Sequence, residues 1–374
     1  MKFSYLIISL FCLLPFVSCI QEEPLNAEAD IVAVDSVWVK DARKSGLIIG
    51  NPIVENRKII FMVKDKNADL SKLAPVFEMT PGAEISPANG SAQNFSKPVV
   101  YTLTSQDGLW KKEYEVSFID LGVFTKSDFE TWELEGDKSK YMRVYDLTSD
   151  SYIPWASGNS GFALTGAAQS PDDYPTAPFN TKGVYGTCAK LETKSTGKFG
   201  SDLKMPIAPG NLFIGEFNAA NAVLSPLKAT KFGLPVLGSE PLYLRGVYKY
   251  KAGEIFTDKN NQVIEGVRDA CDIYAVVYEI DPSNPKPLDG NDILDSDRIV
   301  KLARINNPGE PNNWKEFNIK FEFMNNKVFD YDRLKNNGYY LSVVLTSSID
   351  GAYFKGAVGS TLYVDEVEII SAAH

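Results

Sequence analysis

The sequence predicts an all-β protein of two unequal parts, and three observations carry that reading. Apolar residues recur at period two, as in Leu242-Tyr-Leu-Arg-Gly-Val-Tyr-Lys-Tyr-Lys251 and at Phe317, Ile319, Phe321 and Phe323. Turn signals such as Pro81-Gly82, Asn89-Gly90 and Asp107-Gly108 break the runs at short intervals. No stretch of any length keeps a helical period. The expected order is a signal segment at 1–19, a tether at 20–29, a small β-sandwich at 30–120 and a larger jelly-roll β-sandwich at 122–371.

The bulk numbers exclude several functions. The chain has 374 residues, 44% hydrophobic, enough for more than one core. Its formal charge of −10 argues against nucleic acid or an anionic membrane surface as partner, since both need basic protein surfaces. The single histidine is His374, the last residue. A Ser-His-Asp or Cys-His system, or a zinc site with His ligands, therefore has no imidazole to use.

The first 18 residues read as a signal segment, with Lys2 ahead of an apolar run too short to span a bilayer. Phe16-Val-Ser-Cys19 resembles a bacterial lipobox, with Phe16 in place of the usual Leu, which implies lipidation of Cys19. The acidic residues that follow resemble the surface-export signal of Bacteroidetes lipoproteins. That implies a protein at the outer membrane and cell surface, held by acyl chains rather than by a spanning helix. Cys188 and Cys271 remain, either as one disulfide or as two buried thiols.

In the first domain, Val32, Val34, Ser36 and Trp38 alternate as in a strand, and residues 58–63 read as a buried strand. Residues 99–104 and 112–118 form a predicted hairpin across Asp107-Gly108. The stretches 77–90 and 100–116 resemble the Ig-like modules of Bacteroidetes surface lipoproteins, which implies an Ig-like β-sandwich serving as a spacer.

In the second domain, strands are expected at 190–193, 212–217, 242–251, 272–280, 317–323, 339–346 and 361–370. The 272–280 strand is apolar on nearly both faces and so should be central. Along 242–251, Tyr248 and Tyr250 share one face while Arg245 and Lys249 share the other. The polar loop 281–297 lacks the third ligand and glycine of an EF-hand after Asp289 and Asn291. Six motifs then occur in order: Trp155-Ala-Ser-Gly-Asn-Ser-Gly161, Tyr174-Pro-Thr176, Ala189-Lys-Leu-Glu-Thr193, Gly210-Asn-Leu-Phe-Ile-Gly-Glu-Phe217, Ala229-Thr-Lys-Phe-Gly-Leu-Pro235 and Gly246-Val-Tyr-Lys-Tyr-Lys251. They resemble the putative carbohydrate metabolism domain of Bacteroidetes, as does the closing Gly359-Ser-Thr-Leu-Tyr-Val-Asp-Glu-Val367.

Candidate site residues follow. Glu192 and Asp272 lie in otherwise apolar strands and would be an acid/base pair if both faced one cleft, since glycosidases need two carboxyls about 5–9.5 Å apart. Otherwise Glu192 pairs with Lys190 or Arg245, and Asp272 with Lys249 or Arg268. Trp155 reads as a loop indole able to stack on a sugar, with Asn159 able to hold a hydroxyl. Arg245 and Tyr248 complete the ligand-binding set, although a tyrosine at this spacing more often describes a core residue. Glu130 and Asp365, early and late in the sandwich, are candidate ligands for a structural calcium. No other cofactor is required.

The leading expectation is a surface lipoprotein whose spacer presents a carbohydrate-binding jelly roll to polysaccharide or oligosaccharide. The alternatives are a glycoside hydrolase using Glu192 and Asp272, and an adhesive subunit that binds surface proteins.

Overall fold

The structure is a computed structural model and describes residues 25–372 apart from 49–50, 55–56, 64–67, 121–122, 136–139, 148–151, 181–183 and 185. Cys19, the signal segment and His374 lie outside the described residues. The fold is all-β, as expected, and its helices are short.

In the N-terminal part, the described strands form a sheet in the order Ile53–Val54, Lys58–Val63, Lys111–Asp120, Val99–Thr104, Glu84–Ser86. The predicted hairpin is present, with Val99 opposite Val116 and Gly108 at positive φ in its turn. A short ribbon of Ile31–Val34 and Phe77–Met79 packs beside it. One expectation fails here. The period-two pattern through Trp38 stops at Val34, and Ser36–Lys44 is a helix. Asp35 explains the change: its carboxylate accepts from the Trp38 N–H at 2.8 Å, an N-cap that alternation alone does not reveal. Val39 and Ala42 then turn inward together.

The Lys58–Val63 strand is buried on both faces. Ile59, Phe61 and Val63 enter the core of the N-terminal part, whereas Ile60 and Met62 join the main core of the larger part. Lys58 adds an ion pair to Glu133 at 2.7 Å.

The larger part is a two-sheet sandwich. Among the described residues, the larger sheet runs Glu322–Phe323, Ile299–Arg304, Asp272–Glu279, Tyr339–Thr346, Asn211–Phe217, Tyr152–Ala156, Tyr141–Leu147, Trp132–Glu135, with Thr230–Phe232 beside Asn211–Phe217. The smaller sheet runs Thr176–Phe179, Cys188–Glu192, Thr361–Ser371, Pro241–Lys251, Lys315–Lys320, with Lys126–Ser127 beside Thr361–Ser371. All pairings in both sheets are antiparallel. Alternation assigns the faces. Ile273, Ala275 and Val277 point into the sandwich with Leu244, Tyr248, Tyr250 and Leu362. Tyr274, Val276 and Tyr278 point outward into a second cluster, covered by Leu288 and Ile293 of the polar loop. Cys188 and Cys271 are both free and buried, which settles the cysteine alternative in favour of thiols.

A polar network ties the sheets at one end. Buried Asp269 accepts from Ser348 Oγ at 2.6 Å, Ser360 Oγ at 2.7 Å and the Ala357 N–H at 2.8 Å. Thr193 Oγ1 lies 2.6 Å from Ser348 Oγ and 2.8 Å from Ser347 Oγ. Each buried oxygen thereby has a partner; burial still pushes the Asp269 carboxyl up, and the hydrogen bonds from Ser348, Ala357 and Ser360 offset part of that as the network ties the sheets together.

Candidate functional site

The outward face of the larger sheet carries a pocket of about 260 Å³. Two cross-strand rows form its floor. In one, Tyr274, Val344 and Phe213 are register neighbours; in the other, Asp272, Thr346 and Asn211 are. Short helices form its walls: Asn159–Ala163, Gly197–Asp202 and Asn221–Leu224. Glycines let the wall pack closely at two points, tightly at Gly161 and without room for a side chain at Gly200. A Cβ at Gly161 would lie 3.1 Å from the Phe217 ring, and one at Gly200 would lie 2.1 Å from Thr196 Oγ1. At the mouth, Phe199 and Tyr353 stand about half-exposed. The walls are otherwise apolar, with Thr165, Thr196, Asn211, Asp272, Thr346 and Ser348 among the polar side chains at hand.

Asp272 is the one carboxylate among the described lining residues. Its side chain is 4% exposed and bonds the Arg304 guanidinium, with Nη2 at 2.7 Å and Nε at 3.0 Å. Burial pushes its carboxyl above the usual range, and Arg304 opposes that without cancelling it. The cation is therefore Arg304, from the neighbouring strand, rather than Lys249 or Arg268. Arg268 instead pairs with Glu310.

Glu192 is elsewhere. It sits between Lys190 at 2.5 Å and Lys194 at 2.8 Å, the first being one of the expected partners. Burial would raise its carboxyl, but the two lysines outweigh this and hold it below its ordinary value. Ala189 and Leu191 point into the sandwich, so Glu192 points out of the smaller sheet, whereas Asp272 points out of the larger. The packed interior, roughly 10 Å thick, lies between them. The acid/base pair is not assembled: the two carboxylates face away from each other.

The remaining predicted residues divide as follows. Trp155 is 1% exposed, lies in the Tyr152–Ala156 strand and packs on Phe124 and Phe129 in the core. Its Nε1 donates to Asp146 at 2.8 Å, so the indole offers no platform to a sugar. The glycine and serine residues after it misled the reading, because the strand ends only at Ala156. Asn159 is also fully buried. It accepts from the Thr176 N–H at 3.1 Å and donates to the Thr176 carbonyl at 2.7 Å, binding two chain segments rather than a ligand. Tyr248 is buried, its hydroxyl donating to the Pro308 carbonyl at 2.5 Å. Arg245 is exposed and paired with Glu368.

Glu130 and Asp365 lie near one another, and burial, with the charges of Glu366 and Glu130, pushes Asp365 up to about 6. Their oxygens already accept backbone N–H groups: Thr187 at 3.0 Å for Glu130, Val184 at 2.7 Å and Glu366 at 2.9 Å for Asp365. Among the described residues no group of three metal-ligating side chains exists. The N–H groups aimed at these carboxylates take up oxygens that a calcium ion would otherwise use.

Residues 128–370 match the model of the putative carbohydrate metabolism domain. The chain belongs to that family. Residues 46–118 match the N-terminal domain of SGBP proteins. A solved structure from Bacteroides thetaiotaomicron, described as a putative glycoside hydrolase, is 43% identical; the match covers 95% of this chain and 100% of that one at a TM-score of 0.85. A second, from Bacteroides vulgatus and described in the same words, is 37% identical over 67% of this chain and 100% of that one at a TM-score of 0.63. No curated protein matches the chain.

Within this member of the putative carbohydrate metabolism domain family, sequence reasoning missed Phe162, Phe199, Tyr274 and Tyr353. Phe162 directly follows the stretch 155–161, whose glycines, not its tryptophan, belong to the pocket wall. The others come from three distant segments that only the strand order brings together.

Proposed function

We propose that this protein captures carbohydrate outside the cell, with the pocket on the larger sheet as its binding site. The observation that carries this is the mouth: two half-exposed rings, Phe199 and Tyr353, above polar groups set in an apolar wall. That is the chemistry of sugar recognition, in which ring faces take the C–H face of a pyranose and a few hydrogen-bonding groups fix its hydroxyls. The volume, about 260 Å³, lies just under the roughly 300–1,000 Å³ of ordinary small-molecule pockets, which favours the end of a glycan over the side of a long polymer. The match of the N-terminal part to SGBP proteins supports a surface glycan-binding role, with that part presenting the larger one. Cys19 is the proposed lipid anchor at the outer membrane. Among the described residues no helix is long and apolar enough to cross a membrane.

Affinity electrophoresis and calorimetry with a panel of neutral oligosaccharides test the reading. Retardation by at least one of them is expected, and Phe199→Ala or Tyr353→Ala should weaken binding about tenfold, equivalent to about 1.4 kcal/mol. Binding of none, or binding indifferent to both variants, sinks it.

A second reading, hydrolysis, draws on the buried Asp272 carboxyl, raised as a general acid requires, and on the descriptions given to the two Bacteroides structures. It needs a second carboxylate that the described lining does not supply. Reducing-sugar release lost in Asp272→Asn would establish it. Binding to a purified surface protein with no glycan present would instead favour an adhesive role.

A further inference from the structure

The smaller sheet offers a second outward face, and its chemistry differs from that of the pocket. One cross-strand row runs Ala177, Lys190, Tyr363, Lys249, each opposite the next. Trp314, one residue before the Lys315–Lys320 strand, extends it. Lys249 Nζ lies 4.4 Å from the Trp314 ring centre and 5.1 Å from that of Tyr363, a cation held between two aromatic faces. Phe179 packs on the far side of Tyr363, ring centres 4.9 Å apart. Ala177 is buried, and the other side chains of the row are partly exposed.

The charge here is unbalanced. Among the described residues no carboxylate pairs with Lys249, in a chain whose formal charge is −10. Its neighbours Lys190 and Lys194 share one carboxylate, Glu192, at 2.5 and 2.8 Å. Lys251, two residues along the strand, is exposed. Asp173 lies within electrostatic reach of Lys194 and Glu310 within reach of Lys251, which leaves Lys249, between its two rings, as the cation of the row that no described carboxylate pairs. Asp365, toward the other end, is buried under the Val184 N–H. A cation beside partly exposed rings, in a chain acidic overall, offers local chemistry suited to an anion.

We propose that this row, Lys190–Tyr363–Lys249–Trp314, binds a polysaccharide segment containing uronic acid residues. Cations and rings alternate along it, and Lys190 and Lys249 are two strands apart, about 9.5 Å. A uronate polymer alternates in the same sense, presenting a carboxylate and an apolar ring face. The carboxylate meets Lys249 in a charge-assisted hydrogen bond, and the sugar face meets the exposed side of Trp314. The site is open and linear, so it takes an internal stretch of chain, unlike the pocket on the opposite face, and does not depend on that pocket holding sugar.

The test is binding of the mature chain to polygalacturonate, to its methyl-esterified form and to dextran sulfate, by affinity electrophoresis at low and high salt. Polygalacturonate should retard the protein, more weakly as salt rises. Lys249→Met should weaken that binding about tenfold, Lys249→Arg should largely keep it, and Trp314→Ala should weaken it about tenfold. Circular dichroism and the unfolding midpoint establish that each variant is folded; Lys190→Met repeats the test should Lys249→Met unfold. No retardation by polygalacturonate overturns the proposal, as does equal binding of the esterified polymer or tighter binding of dextran sulfate. A tenfold loss of polygalacturonate binding in Phe199→Ala, which lies in the pocket, would relocate the ligand and overturn it equally.

Discussion

The two outward faces of one sandwich are built on the same pleated backbone yet meet water differently. On the larger sheet, outward side chains are Phe213, Tyr274, Val276, Tyr278 and Val344, and short helices and a loop cover them. On the smaller sheet, they are Lys190, Glu192, Arg245, Lys249 and Tyr363, and those stay at the surface. A layer added over an apolar face leaves gaps where helices and sheet do not mesh, and the pocket is such a gap. A charged face needs no cover and presents a track instead. The difference teaches that enclosure and charge, rather than strand geometry, separate the two candidate binding modes.

Four substitutions break or sharpen the contrast, in falling order of effect. Trp155 lies between the faces, so Trp155→Ala should injure both at once. A loss of about 3–5 kcal/mol in denaturant-derived stability is expected. A selective loss of sugar binding with an unchanged midpoint would restore the indole as a ligand platform.

Next comes Asp272→Asn, which leaves Arg304 without its buried counter-ion. About 3 kcal/mol should be lost, read from urea unfolding, because the carboxylate is almost fully enclosed. A cost under about 1 kcal/mol would mean that the pocket floor is wet.

Asp146 supplies a pH signature between the sheets. Its carboxyl accepts from Ser127 Oγ at 2.6 Å, on a strand of the smaller sheet, and from Trp155 Nε1 in the larger. Burial pushes it up to about 6, against hydrogen bonds from Ser127 and Trp155 that pull it down. A folded-state value above the unfolded one means that the folded state holds the proton more tightly. Its stabilising contribution is then complete below about pH 4 and is lost as pH rises through about 6. The shift of about two units corresponds to about 2–3 kcal/mol. Stability of the natural protein relative to Asp146→Asn, measured by thermal unfolding from pH 4 to 7, should fall by that amount; parallel curves would contradict it.

Glu192→Gln should be mildest, at about 1 kcal/mol or less. Its ion pairs are partly exposed, and solvent screens them. An effect as large as that of Asp272→Asn would erase the distinction between the faces.

Much of this architecture is legible in the sequence because alternation is a local property. The 242–251 strand shows which residues face in, and Tyr248 and Tyr250 do so. The family resemblance across the second domain holds as well. The sites are less legible, because they depend on strand order. Trp314, Tyr363 and Lys249 are far apart in the chain and adjacent only through pairing across Thr361–Ser371 and Pro241–Lys251. Glu192 and Asp272 look alike in sequence, each acidic in an apolar strand, and only the assignment of faces shows them back to back. Trp155 was misplaced because the glycine-rich run after it outweighed two flanking pairings, to Tyr141–Leu147 and to Asn211–Phe217.

The strand Lys58–Val63 has a mechanical consequence. With Ile59 and Phe61 in one core and Ile60 and Met62 in the other, a pull that separates the two parts must drag apolar side chains out of a packed interior rather than unbend a linker. The molecule then transmits torque as one lever. A polymer held at the far sheet would turn both cores together.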